Sequence, residues 1–177
     1  MKVEYQYLEE KEIDCALFSH FIRHQVVTKC WRKIDGTWCI KDIGFVDDWK
    51  EEEYEFLVKC LKNTVQTGGL VAGAFWEGKL KGFVSVEPEH LGTKKQYLDL
   101  SSIHVSEDMR GCGIGKELFH IAKQWAGTHG AKKLYISAHS AVESQAFYKA
   151  MGCVEAEEYD KEHVKKEPCD CQLECEL

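Results

Sequence analysis

The stretch Ile103-His104-Val105-Ser106-Glu107-Asp108-Met109-Arg110-Gly111-Cys112-Gly113-Ile114-Gly115-Lys116 decides how this chain is read. An apolar-rich run ends at Val105, and a short polar segment follows. Arg110, three alternating glycines and Lys116 then lead into a long amphipathic segment. The pattern is strand, glycine loop, helix. Glycines let backbone approach a ligand closely, and the unpaired N–H groups of a helix N-terminus attract anions. The loop is therefore expected to hold a phosphate-bearing ligand.

Two common phosphate loops are excluded by position. A G-x-x-x-x-G-K-[ST] loop needs glycine where Arg110 stands and a hydroxyl where Glu117 stands, and Glu117 would repel phosphate. A G-x-G-x-x-G fingerprint accepts Gly111 and Gly113 but needs its third glycine where Lys116 stands.

Bulk composition narrows the class. The 177 residues suit one domain spanning 1–177, and 44% hydrophobic residues supply a full core. No apolar run is long enough for a membrane span, so no membrane partner is expected. The start, Met1-Lys2-Val3-Glu4-Tyr5, lacks the apolar region of a signal peptide, which implies a cytoplasmic location. The formal charge of −7 argues against a nucleic-acid partner and suits a cationic substrate such as an amine, although acidic solubility explains it equally well. Nine cysteines, odd in number and scattered, read as buried thiols. The run Cys169-Asp170-Cys171-Gln172-Leu173-Glu174-Cys175 lacks ordinary zinc spacing, and its alternate positions share one strand face, so no metal is expected.

Periodicity gives the element order. Val3 to Leu8 alternates as a short strand. Residues 12–29 carry Leu17, Phe18, Phe21, Ile22 and Val26 at helical spacing, and 30–49 reads as irregular. Glu51, Glu52 and Glu53 open a helix to residue 66 with the stripe Tyr54, Leu57, Val58, Leu61 and Val65. Leu70–Trp76 and Leu80–Val86 flank Glu77-Gly78-Lys79 as a hairpin. Tyr97–Val105 is a strand, Gly113–Thr128 a helix, Lys132–Ala138 a strand and Ala141–Met151 a helix stopped at Gly152. Val154–Tyr159 and Cys169–Leu177 read as a closing strand pair. A hairpin followed by a β-α-β crossover makes a mixed α/β fold.

The loop Arg110-Gly111-Cys112-Gly113-Ile114-Gly115, this order of elements, and the later Phe147-Tyr148-Lys149-Ala150-Met151-Gly152 together resemble the Gcn5-related N-acetyltransferase (GNAT) superfamily, whose members carry R-G-x-G-x-G and commonly F-Y-x-x-x-G. The resemblance runs over most of the chain, with its specific part in 97–153. It implies a mixed, mostly antiparallel twisted sheet of about seven strands flanked by about four helices. It also implies an acetyl-CoA-dependent acyltransferase that moves acetyl directly to a primary amine of a small molecule or peptide. Alternatives are a regulatory module that binds acetyl-CoA without turnover and an antibiotic-modifying acetyltransferase of the same fold. Family members are often dimers, for which the terminal strands offer a homodimer interface.

The same resemblance assigns roles. Acetyl-CoA, as acyl-donor substrate, would lie along Ile103 and Val105. Its pyrophosphate would rest on backbone N–H groups from Arg110 through Gly111, Cys112, Gly113, Ile114 and Gly115 to Lys116. The Val105 N–H would hold the oxyanion, and Tyr148 would protonate the departing thiolate. Asp99, six residues before Val105, sits where relatives place a base; it would deprotonate the amine or anchor it as a counter-ion. Strict alternation places Asp99, Ser101, Ile103 and Val105 on one strand face and His104 on the other. Many members carry an asparagine where Ala141 stands, leaving Ser140 or Ser144 to contact the pantetheine arm. His139 ends the preceding strand near the same site. Trp38, Asp47, Asp48 and Trp49 suit a cationic acceptor by charge and cation–π contact, or equally serve as core staples and helix caps.

Overall fold

The computed structural model describes residues 2–177. A seven-stranded sheet runs in the order β1-β4-β5-β6-β7-β9-β8. Its strands are β1 (Glu4–Tyr7), β4 (Leu70–Trp76), β5 (Lys79–Leu91), β6 (Tyr97–Val105), β7 (Lys133–Ala138), β8 (Val154–Glu155) and β9 (Cys171–Glu176). Among the described residues only the β6–β7 pair is parallel. That is the mixed, mostly antiparallel sheet the resemblance implies. A two-stranded arm, β2 (His24–Ile34) and β3 (Thr37–Asp48), stands apart from it.

The sheet is covered on both faces. Helix α1 (Glu51–Gln66) sets Leu57, Val58 and Leu61 against Val71, Leu80 and Phe83 on one face. Helix α2 (Ile114–Thr128) sets Ile114, Leu118, Ala122 and Trp125 against Ala72, Val84 and Leu98 on the other. Helix α3 (Val142–Ala150) joins that second layer through Phe147 and Tyr148, and a short helix α4 (Lys161–Lys166) precedes β9. Gly82 is what lets α2 sit this low on β5. A Cβ there would fall 2.7 Å from an Ile114 methyl and 2.9 Å from a Leu118 methyl.

Several sequence expectations are corrected. Residues 12–29 form no helix. Glu10–Glu12 and Cys15–Phe18 are 3-10 turns, the second capped by the Asp14 carboxylate on the Leu17 N–H, and β2 follows. The helical spacing arises because Phe18 and Phe21 plug the α1 side of the core from this turn. The stiff Val26-Val27-Thr28 run favours strand, as β-branched residues do. Residues 30–49 are ordered, not irregular. Asp35 (φ 50°) and Gly36 (φ 79°) make the two-residue turn of a hairpin, which the Asp-Gly pair encodes. The closing pair is shorter than read: β8 holds two residues, and α4 occupies part of the gap before β9. In β9, Cys171, Leu173 and Cys175 face the core, as the alternation implied.

The fourth correction bears on the site. Between Val86↔Leu100 and Ser85↔Ser102 the β5–β6 register slips by one residue, a β-bulge at Ser101. A bulge reverses the facing of everything beyond it. Leu98, Leu100, Ile103 and Val105 therefore share the α2 face. Asp99 leaves the Ile103–Val105 face and lines the α1 side of the sheet with His104.

Since α2 carries the glycine loop, overpacking at Gly82 reaches the loop. Gly82→Val is expected to destabilise the protein by about 1–3 kcal/mol in urea unfolding, and to weaken acetyl-CoA binding by calorimetry. Unchanged values in both would show that α2 does not depend on this contact.

Candidate active site

Strands β6 and β7 pair over three positions, Tyr97↔Lys133, Leu98↔Leu134 and Asp99↔Tyr135, and then part. The Ser106 N–H donates to the Lys81 carbonyl at 2.8 Å, and His104 pairs with Phe83. Backbone N–H groups alternate sides along an antiparallel ladder. Those of Ile103 and Val105 therefore face away from β5, into the space that β7 has vacated. The arm closes the far side of this fork: the Trp31 N–H donates to the Ser140 carbonyl at 2.8 Å, and Cys30 bridges Ala141.

A cavity of about 680 Å³ fills the fork. Ile103 and Val105 line it from β6, Arg110, Gly111, Gly113, Ile114, Gly115 and Lys116 from the loop, and Ser144, Phe147 and Tyr148 from α3. Gly111 (φ 78°) and Gly113 (φ 82°) adopt the left-handed conformation, and Gly113 caps α2. A Cβ on Gly115 would meet the Phe147 ring at 3.2 Å, so the third glycine serves close packing of α2 on α3. Cys112 points outward and does not line the cavity. Arg110 is tied back, its Nη2 donating to the His24 carbonyl at 2.7 Å. Ser140 is taken by Arg32, which donates to its Oγ at 2.7 Å. Ser144 therefore remains on the cavity wall where the family's asparagine is missing. His139 also lines the cavity, with Nδ1 accepting the Ala141 N–H at 3.1 Å.

Tyr148 is buried, and burial, more than the nearby Cys153 and Asp170, pushes its phenol pKa up. It holds its proton throughout the neutral range.

A second cavity, of about 930 Å³, opens on the α1 face. Its lining is acidic, with Glu52, Glu53, Glu87, Asp99, Glu167 and Asp170 against Lys59 and Lys166. His104 borders both cavities. It packs against Trp49 (4.8 Å) and Phe83 (5.4 Å), and burial, followed by the charges of Arg23 and Arg110, lowers its pKa to about 3, so it stays neutral. Glu87 stands in the irregular stretch of β5 after Val86, where its Oε1 accepts from Thr64 and Ser101, both at 2.7 Å. Asp170, in the same wall, is pushed up by burial.

The four acceptor residues read from the sequence separate. Trp49 lines the acidic cavity, with the Arg23 guanidinium 5.3 Å from its ring centroid. Asp47 is paired with Arg23 at 2.7 Å, and Asp48 with Lys50. Trp38 lies on the arm, its Nε1 donating to Glu155 at 3.2 Å. None of these three lines either cavity. The sequence reading missed Glu87, His163 and Asp170. Glu87 had a signal, a carboxylate followed by Pro88 interrupting an apolar strand. His163 had none, because α4 is too short to show a period.

The acetyltransferase (GNAT) family model matches residues 30–153, so the chain belongs to that family of acetyltransferases. Among solved structures, a Bacillus anthracis protein assigned as a streptothricin acetyltransferase, in complex with acetyl coenzyme A, is 17% identical, with 100% of this chain and 99% of that chain covered and a TM-score of 0.73. A nourseothricin acetyltransferase is 15% identical, with 98% and 96% covered and a TM-score of 0.65. A PaiA N-acetyltransferase from Thermoplasma acidophilum, in complex with coenzyme A, is 17% identical, with 100% of each chain covered and a TM-score of 0.62. No curated protein sequence matches the chain.

If the loop cradles a pyrophosphate, its left-handed glycines are not replaceable. Gly113→Ala meets no atom within 4 Å, so its penalty is conformational, about 1–2 kcal/mol. The expected outcome is an acetyl-CoA Kd raised about tenfold in calorimetric titration. An unchanged Kd would place the phosphates elsewhere.

Proposed function

We propose that this protein transfers acetyl from acetyl-CoA directly to a primary amine of a cationic small molecule or peptide. The observation that carries the reading is the fork: one cavity with backbone N–H groups and a glycine loop on the α2 side, and an acidic cavity behind the shared His104. The first fits an anionic cofactor, and the second fits an ammonium.

The thioester carbonyl lies beside β6, where the Val105 N–H, already turned toward the gap, receives the oxyanion. A pre-aimed donor of this kind lowers the barrier by about 3–4 kcal/mol. The amine enters from the acidic side, held by the carboxylate of Glu87, with the buried Asp99 adding negative charge nearby, and loses a proton before attack. Its nitrogen bonds to the carbonyl carbon, and the C–S bond then breaks. Tyr148 donates a proton to the departing thiolate and regains one from the nitrogen that has become an amide. A phenol raised by burial still serves, because the same burial raises the proton affinity of the thiolate.

A second reading narrows the acceptor to a streptothricin-like antibiotic. The acidic cavity favours it, and one structural neighbour carries streptothricin in its name and another nourseothricin. The location of the protein is proposed as the cytoplasm; no helix among the described residues is long and apolar enough to cross a membrane.

The test follows free thiol released from acetyl-CoA over a panel of polyamines, lysine peptides, aminoglycosides and streptothricin. Release with at least one amine is expected, and binding of acetyl-CoA with no release across the panel would favour a regulatory module. Tyr148→Phe is expected to lower kcat about 100-fold with little change in the acetyl-CoA KM. A variant at full rate would remove the acid role.

A further inference from the structure

The carboxylate of Asp99 is not what the acidic cavity meets first. Asp99 is 6% exposed, and its Oδ2 is bonded to His163 Nε2 at 2.9 Å. The His163 side chain is 26% exposed and lines the cavity. We propose that His163 is the residue that takes the proton from the incoming ammonium, with Asp99 as the group that positions it. This rests on the transferase reading above and identifies the base within it.

Placement is the first argument. Asp99 and Tyr135 form the last paired rung before β6 and β7 part, so the Asp99–His163 pair stands at the crotch of the fork. Orientation is the second. The imidazole lies flat against the Tyr135 ring, at 5.5 Å between centroids and 15° between planes. The His163 N–H is capped by Asp160 at 3.0 Å, and the Asp160 N–H donates to the Tyr135 hydroxyl at 2.9 Å. The ring is therefore held from β6, β7 and its own helix. With Nε2–H given to Asp99, the lone pair of the neutral imidazole resides on Nδ1, and no described residue is bonded there.

Chemistry is the third argument. An ammonium of pKa ~10.4 gives up its proton more readily to an imidazole, the more basic of the two groups, than to a carboxylate. The ammonium N–H bond breaks toward Nδ1, giving imidazolium beside carboxylate and a neutral amine with its lone pair free for attack. The imidazolium returns this proton to solvent, and it is the one net proton the reaction releases. The charged and titratable groups around the ring are Asp99 on β6, Tyr135 on β7, Asp160 at the N-cap of α4, Lys166 at its end, and Asp170 beyond it. The hydrogen bond that His163 donates to Asp99 is the largest influence, and it raises the His163 pKa. The basic form exists above that raised value, so the rate rises with pH through it.

The experiment measures kcat/KM against pH, from about 6 to 10, for wild type, His163→Gln and Asp99→Asn with an amine the wild type acetylates. His163→Gln is expected to be about 100-fold slower near pH 7 and to converge on wild type near pH 10, where the amine is neutral by itself. Asp99→Asn should move the rising limb to lower pH. Unfolding midpoints and acetyl-CoA affinity report whether either variant is simply damaged. In wild type, the imidazole titration followed by NMR should fall to lower pH when the acceptor binds, which tests the contact without any substitution. A wild-type rate in His163→Gln, a loss equal at every pH, or an unmoved imidazole titration would each overturn the assignment. If the wild type acetylates no amine, the transferase reading falls and takes this proposal with it. If it does and His163→Gln is unaffected, only the base assignment falls.

Discussion

Everything in the site depends on the parting of β6 from β7 after Asp99 and Tyr135. Parallel strands normally continue their ladder, because an unpaired buried N–H or C=O forfeits a hydrogen bond. Here the ladder stops while β6 runs on to Val105 and β7 to Ala138. The unpaired backbone edge lines a cavity inside the sheet. The same separation brings the cavity on the α2 face and the one on the α1 face to a shared border at His104.

The fork is held open from both ends. At its base, β9 clamps β7 through buried polar contacts. The Tyr97 hydroxyl donates to Glu174, Glu174 pairs with Lys133 at 2.6 Å, and Tyr135 donates to Gln172. Each of these groups is costly to bury alone, and the network satisfies them together. At its mouth, β2 docks on the link after β7 through Trp31 and Arg32. The segment before β2 docks on the link after β6, where Glu107 N–H donates to the Ile22 carbonyl at 2.9 Å. The arm therefore bridges the two strands that the sheet itself no longer joins.

Charge is sorted across the fork. The α2 side offers helix N–H groups and Lys116 together with Arg23, Arg110, Glu107 and Glu143, while on the α1 side carboxylates outnumber Lys59 and Lys166. His104, packed between Trp49 and Phe83 and held neutral, borders both without adding charge to either. The proposed anionic donor and cationic acceptor would thus have separate entrances on the two faces of the sheet.

The glycine loop, the long helices and the central strands were legible because their signals are local. Arg110 to Gly115 encodes a backbone path, α1 and α2 show a full helical period, and Glu77-Gly78 encodes its own turn. The arm was misread because the helical spacing of Phe18, Phe21 and Ile22 is also what a turn delivering aromatics to a core produces, and the Asp35-Gly36 turn was passed over. The facing of Asp99 was misread because a bulge leaves no mark in a single strand's sequence; it exists only in the register with β5. His163 was out of reach for the same reason, since 64 residues separate it from Asp99 and only the chain's return beside β7 brings them to 2.9 Å. The sequence by itself determined the fold family and the anion loop, which are properties of contiguous backbone. Tertiary structure alone decided which side chains line the acidic cavity, because that depends on strand register and on contacts between segments distant in the chain.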